Sequence, residues 1–125
     1  MAGQELPRLT VRLEEVRSGI AALAQSRDRA QAQITVLEQQ EAKLGRQAAK
    51  AGQMGREDLA HAALARQQET ESQRTELASQ LDQLLGEEVK LTIAAQRLQA
   101  RKARIYWFGL QDEDREDLFD TNVGP

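Results

Sequence analysis

Apolar residues recur at alternating three- and four-residue steps along most of the chain, a pattern that predicts two long amphipathic helices. The first stripe has thirteen positions, eleven of them apolar: Leu9, Leu13, Val16, Ile20, Leu23, Arg27, Ala30, Ile34, Leu37, Glu41, Leu44, Ala48 and Ala51. The second stripe is leucine-rich from Leu77 to Leu98 and more polar from Gln67 to Arg74. Its positions are Ala60, Leu64, Gln67, Glu71, Arg74, Leu77, Leu81, Leu84, Glu88, Leu91, Ala95, Leu98, Lys102 and Ile105. A mean step of 3.5 residues keeps each stripe facing a partner helix and predicts a left-handed coil.

The two stripes meet at Gly52-Gln-Met-Gly55, which we interpret as the tip of a helical hairpin. We expect Gly52 to end the first helix as a left-handed residue, and Gly55 or Arg56 to begin the second. Two acids, Glu57 and Asp58, would then lie in the first turn, where they complement the helix dipole. Folding the chain about this tip brings together residues whose numbers sum to about 107, and so places Glu41 near Arg66 and Gln67.

The predicted fold class is therefore all-α, a long antiparallel two-helix coiled-coil hairpin with a short flexible acidic C-terminal tail. The predicted boundaries are a disordered or frayed N-terminus at 1–8, a helix at 9–51, the tip at 52–55, a helix at 56–105, and an aromatic then acidic tail at 106–125. Residues 111–120 contain six acids and one arginine. We expect the second helix to end near Gly109 because the sequence becomes acidic beyond it.

Composition argues against an enzyme. The chain has no cysteine, one histidine, and 3% aromatic residues, which excludes a cysteine nucleophile and a cysteine-ligated zinc site. His61 lies one turn beyond the tip, and it reads as a surface residue because the acids before it make a poor metal site. Acid pairs such as Glu57-Asp58 are neighbours that point apart on a helix, and a two-helix hairpin has no cleft that shifts a pKa. We expect no catalytic residue, no cofactor, no metal and no nucleic-acid partner.

Two features off the main stripes are candidate binding surfaces. Leu85, Val89 and Ile93 recur every four residues and form an apolar ridge that a third helix, a second copy or another protein would cover. For a basic and aromatic segment at 97–110 we favour a helix end whose cations complement the dipole and whose aromatics dock on a neighbour. The alternatives are an anionic membrane surface and stacking on single-stranded nucleic acid. Its candidate membrane contacts are Arg101, Lys102, Arg104, Tyr106, Trp107 and Phe108.

The tip sequence Gly55-Arg-Glu-Asp-Leu-Ala-His-Ala-Ala-Leu64 resembles the phage-shock-protein A family of bacteria and its plastid vesicle-inducing relatives. That family carries a Gly-Arg-Glu-Asp-Leu-Ala-x-x-Ala-Leu motif after its hairpin turn. Val16-Arg-Ser18 stands at a matching distance upstream, and the charged, alanine-rich second helix is also similar. The resemblance covers the hairpin region only, at roughly residues 8–105.

The resemblance implies a cytoplasmic protein that is peripheral at the inner face of the cell membrane and acts in membrane stress. Family members assemble into rings and rods with an ESCRT-III-like fold, and some bind and inhibit a transcriptional activator through the hairpin. The first hypothesis is thus a hairpin-only interaction module of the envelope-stress response, whose partners are full-length relatives, a second copy or such an activator. Arg56 and Asp58 at the tip, with the ridge, are its predicted contacts.

Two alternatives stay open. One is a peripheral membrane-surface protein that uses segment 97–110, and the other is a generic coiled-coil adaptor. The heptads are also shared by an intramolecular hairpin and an extended swapped dimer, and only the break at Gly52 and Gly55 favours the hairpin.

Overall fold

The chain forms two long α-helices. The computed structural model describes the backbone of residues 2–123 and the side chains of residues 3–109. Helix α1 spans Ala2–Gln53 and helix α2 spans Glu57–Val123, with a turn of three residues between them. No strand occurs in the described residues. The predicted all-α helical hairpin is confirmed.

The hairpin divides into two compact units, and segments of α1 and α2 pair antiparallel in each. Residues 22–88 form the first, which we call the tip unit, and it contains the turn. Residues 1–21 together with 89–125 form the second, which we call the terminal unit. The chain has few large side chains, so each unit is held by a narrow seam between two helices.

The α1 stripe predicted from the sequence is this seam. All thirteen of its positions are buried or half-buried, and the most enclosed is Leu13, which is 2% exposed. Of the fourteen α2 positions, twelve are half-buried and two are exposed, Leu64 and Glu71. Between Ala60 and Arg74 the seam instead passes through Ala63 and Thr70.

The error in the α2 stripe has a simple physical cause. Steps of 3-4-3-4 and of 4-3-4-3 both carry a helix face from residue 60 to residue 74, and the sequence pattern favoured the second because it includes Leu64. The structure uses the first because small residues form the seam beside the turn, where Ala48, Ala51 and Ala63 are buried. Leu64 is left 45% exposed.

Two charged residues interrupt the α1 seam in the tip unit, and each meets an opposite charge from α2. Nη1 of Arg27 lies 2.6 Å from Oε1 of Glu88, and Nε of Arg74 lies 2.6 Å from Oε2 of Glu41. The four side chains are 16–32% exposed, so both pairs are partly shielded from water. The hydrogen bond to Glu41, with the charge of that carboxylate, raises the pKa of Arg74 above its ordinary value.

The predicted neighbourhood of Glu41 is right in part. Gln67 donates a hydrogen bond from Nε2 to the backbone oxygen of Glu41 at 3.2 Å, as the folding about the tip suggested. The partner of the Glu41 carboxylate is Arg74, which lies two turns beyond Arg66. The turn is centred on Gly55, later than predicted, and the paired residue numbers are correspondingly higher.

In the terminal unit the seam contains Leu9 and Leu13, which are 6% and 2% exposed. Exposed polar contacts accompany it. Arg101 lies 2.8 Å from Glu5, and Arg17 donates to Gln99 at 3.3 Å. Packing is close where α1 has a glycine, since a Cβ on Gly19 would lie 3.3 Å from Cδ1 of Leu91.

The turn itself is a Schellman motif. The Arg56 N–H donates to Ala51 O at 2.8 Å, and the Gly55 N–H donates to Gly52 O at 3.1 Å. Gly55 has a φ of 71°, in the left-handed region, and Arg56 O accepts from the Ala60 N–H and so begins α2. The prediction that Gly52 is the left-handed residue is therefore wrong, because the helix continues one residue past it and Gly55 takes that conformation.

The frayed N-terminus predicted at 1–8 is also wrong for residues 2–8, which are helical. Pro7 lies inside α1 as its sixth residue, where its missing N–H removes one helical hydrogen bond. The ion pair of Glu5 with Arg101 and the burial of Leu9 lie on either side of Pro7 and favour the helix. Met1 lies outside the described residues.

At the other end, α2 passes through Gly109 to Val123, so its predicted end near Ile105 to Gly109 is wrong. A single interior glycine costs only about 1 kcal/mol relative to alanine, and no proline follows before Pro125. The side chains of residues 110–125 lie outside the described part, and the predicted flexibility of the acidic tail stays a prediction.

The coupling between Arg27 and Glu88 can be measured by a double-mutant cycle with Arg27→Ala and Glu88→Ala. We expect a favourable coupling of about 1 kcal/mol in urea unfolding, because the pair is short and partly shielded. Glu5 and Arg101, which are 42% and 59% exposed, are the control, with an expected coupling below about 0.5 kcal/mol. Equal couplings for the two pairs would contradict a special role for the seam pair.

The turn gives a second prediction, on two glycines three residues apart. Gly55→Ala should lower the free energy of unfolding by about 1 kcal/mol because alanine is strained at positive φ. Gly52→Ala should raise it by up to about 1 kcal/mol because that residue is helical. A Cβ at either position meets no atom within 4 Å, so backbone conformation alone distinguishes them. The same sign for both variants in urea unfolding would refute this turn.

Candidate functional site

The most distinctive surface of the tip unit is a groove beside the turn, with a volume of ≈ 400 Å³. Apolar side chains contributed by both helices and by the turn make its floor: Leu44, Ala51, Met54, Leu59, Ala62 and Ala63. Met54 is 69% exposed and Leu59 is 49% exposed. We call this surface the tip groove.

The tip groove exists because of the local sequence. The Schellman turn places Met54 between the helices, where it belongs to neither seam. The seam beside the turn consists of alanines, whose small side chains cover little of the surface of Leu44 and Leu59. Leu44 and Leu59 therefore contribute apolar surface to the groove.

Cations line the same groove. Lys50, Arg56 and Arg66 line the groove, Gln47 is the remaining lining residue, and there is no carboxylate in the lining. A second groove, of ≈ 410 Å³, shares Arg66 with it and is lined mainly by polar residues, among them Lys43 and Glu69. The tip groove is thus the apolar member of the pair, and its charge is positive.

Two of the residues predicted at the tip, Arg56 and Asp58, lie close together. Nε of Arg56 is 3.5 Å from Oδ1 of Asp58, and the two side chains are 58% and 71% exposed. Such an exposed pair is worth little in stability and exchanges readily for another partner. Arg56 lines the tip groove, whereas Asp58 does not.

The predicted ridge residues are all exposed. Leu85 is 38% exposed in the tip unit, and Val89 and Ile93 are 58% and 42% exposed in the terminal unit. Each therefore has apolar surface that a partner could cover. Their joint role as a partner-binding ridge stays a prediction.

The predicted membrane-contact residues of the terminal unit fall into two groups. Tyr106, Trp107 and Phe108 are 57%, 63% and 60% exposed, which is unusual for three consecutive aromatic residues. The basic residues differ among themselves: Arg104 is exposed, Lys102 is half-buried, and Arg101 is paired with Glu5.

Sequence reasoning missed the residues that make the tip groove, chiefly Met54, Leu59, Lys50 and Arg66. A signal was present, because Met54 and Leu59 are large apolar residues that lie off the stripes and next to a predicted turn. Such residues have no place in a two-helix seam, so they are left for solvent or for a partner.

The described residues contain neither a metal-binding cluster nor a membrane-spanning helix. No group of three or more histidine, aspartate and glutamate side chains there could hold a metal ion. No helix there is long and apolar enough to cross a membrane.

Comparison of the chain with protein-family models, with curated proteins and with solved structures found no match. The resemblance of the tip sequence to the phage-shock-protein A family therefore stays a prediction.

Proposed function

We propose that the chain is a non-enzymatic interaction module that docks its tip groove on a protein partner. The observation that carries the proposal is the tip groove itself, whose lining joins the exposed Met54 and other apolar residues to three cations. Protein interfaces combine a central apolar anchor with a polar rim, and methionine suits such an anchor because its side chain adapts to the partner.

The biological setting that we propose is the bacterial envelope and membrane stress response. Its support is the Gly-Arg-Glu-Asp-Leu-Ala sequence from Gly55 to Ala60, which in the phage-shock-protein A family follows the hairpin turn. In this proposal the partner is either a transcriptional activator or a full-length relative, and the protein works at the inner face of the cell membrane. Arg56 and Asp58 extend the contact at the tip, and Leu85, Val89 and Ile93 are further proposed contacts, each considered within its own unit.

The tip is tested by Met54→Asp with Leu59→Asp in a bacterial strain that lacks its own phage-shock-protein A and reports on the activator that the family inhibits. The original chain should lower the reporter, and the double variant should leave it at the level of an empty vector. Loss of an interface anchor costs about 2 kcal/mol, or roughly 30-fold in affinity, and a charge at the groove floor costs more.

The matched control is Val11→Asp with Val36→Asp, which places the same charges on valines that are 54% and 49% exposed away from the tip groove. This variant should repress as the original chain does, with helicity by circular dichroism equal in all three proteins. Repression by the tip variant, or none by the original chain, would contradict the proposal.

Exposure of Tyr106, Trp107 and Phe108 favours a second candidate function, binding to an anionic membrane surface. Aromatic side chains settle at the headgroup level of a bilayer, and Arg104 next to them would be attracted by anionic lipid. The nearby acids of residues 111–120 oppose this attraction, so the first proposal is the stronger one.

Flotation with phosphatidylglycerol vesicles at low salt tests the second candidate. If it holds, the original chain floats, Trp107→Ala with Phe108→Ala reduces the floated fraction several-fold, and Met54→Asp with Leu59→Asp leaves it unchanged. Absence of flotation for the original chain at low salt would eliminate this function.

A further inference from the structure

One segment of the chain matches the chemistry of the tip groove. The groove joins an apolar floor to three cations, Lys50, Arg56 and Arg66, and to no carboxylate. Residues 111–120 carry six acids and one arginine, and Leu118 and Phe119 stand among those acids in the sequence. We propose that the tip groove binds the acidic segment, residues 111–123, of a second copy of this chain. The inference rests on the proposed role of the tip as a docking surface.

The occupant must come from another molecule. The groove residues Leu59 to Arg66 and the acidic segment belong to one uninterrupted helix, α2, which runs from Glu57 to Val123. A segment of a continuous helix cannot lie against an earlier part of that helix without breaking it. Binding within one molecule would therefore lose the helical hydrogen bonds that a second copy keeps.

The cations of the groove are available for such a contact. Among the described residues, Lys50 and Arg66 form no ion pair within 4.0 Å, and Arg56 is held only by its exposed 3.5 Å contact with Asp58. Opposite charges on two surfaces speed their encounter and fix their register, while apolar contact slows their separation. Leu118 and Phe119 supply the apolar part of the segment, and Met54 with Leu59 supplies it in the groove.

Two geometries satisfy this contact. If two copies exchange segments reciprocally, the assembly closes as a dimer, whereas a one-way contact propagates from tip to tail into longer assemblies. Either assembly occupies the tip groove, so self-association would compete with the proposed partner for the same surface.

Sedimentation velocity over a concentration series of the full chain tests the proposal. The original chain should show a mass that rises above the 14.0 kDa monomer, and the association should weaken with salt. Lys50→Glu with Arg66→Glu should shift the association to at least tenfold higher concentration. Glu116→Lys with Asp117→Lys, which reverses charge on the acidic segment, should weaken association by at least as much. An equimolar mixture of the two variants should restore association, because each groove then meets a segment of opposite charge.

The matched control is Arg29→Glu with Lys90→Glu, which changes the net charge by the same amount on exposed residues that do not line the groove. It should associate as the original chain does. The proposal is overturned by a monomer at all concentrations, by unchanged association of the groove variant, by equal loss in the control, or by a mixture that stays monomeric.

Failure here is distinguishable from failure of the proposed function. The Glu116 and Asp117 variant leaves the tip groove intact, so it should still repress the reporter while its self-association is lost. If the two charge reversals have no effect on mass but Met54→Asp with Leu59→Asp abolishes repression, the tip groove docks a partner but does not bind the acidic segment of a second copy.

Discussion

The structure depends on two ion pairs set into a seam made mostly of apolar residues. Arg27 pairs with Glu88 and Glu41 pairs with Arg74, both at 2.6 Å. A seam of leucine and alanine is nearly uniform along its length and would tolerate sliding by whole heptads. A charge at a partly shielded seam position tolerates sliding less, because leaving it without an opposite charge adds an electrostatic cost to the loss of packing.

The spacing of these charges selects one register. Arg27 and Glu41 are 14 residues apart, from 41 − 27, and Arg74 and Glu88 are also 14 apart, from 88 − 74. In an antiparallel pair both contacts therefore form together, two heptads from each other. A slip of two heptads in one direction would bring Arg27 opposite Arg74, and in the other direction it would bring Glu41 opposite Glu88. Such a slip places like charges opposite each other. The ion pairs therefore stabilise the observed register and destabilise the registers slipped by two heptads.

Much of this hairpin could be predicted from the sequence, because the α1 stripe from Leu9 to Ala51 has the periodicity of a helix with one buried face. The polar interruptions at Arg27 and Glu41 belonged to that stripe and proved to be its most specific contacts. The carboxylate partner of Glu41 was not predicted, because it lies two turns beyond Arg66. The later turn centre moves facing pairs by about one of those turns, and the length of the Arg74 side chain spans the other. Periodicity does not locate a turn to better than a few residues when two glycines are three apart.

The remaining differences between prediction and structure share a cause. The sequence pattern shows the size and helix propensity of each residue, but it does not show how the two helices pack. Leu64 was placed on the seam because it is large, although the close approach beside the turn requires Ala63. The helices were predicted to begin at residue 9 and to end near Gly109, but Pro7 and Gly109 each remove only a small part of the stability of a long helix. The tip groove was not predicted for the same reason. Met54 and Leu59 stay exposed because the helices pack through small alanines beside the turn, and the sequence pattern does not contain that packing.

The central claim is that α1 and α2 pair within one chain in one register, and dipolar electron paramagnetic resonance tests it most directly. The chain has no cysteine, so spin labels attach only at Gln33→Cys and Gln80→Cys, two positions that line one groove of the tip unit. Pairing within one chain predicts a single narrow, short distance between the labels, set by helix axes about 10 Å apart and by the label linkers. This distance should persist in a tenfold excess of unlabelled protein. A short distance that disappears on dilution with unlabelled protein, leaving about 70 Å for 47 helical residues, would contradict it.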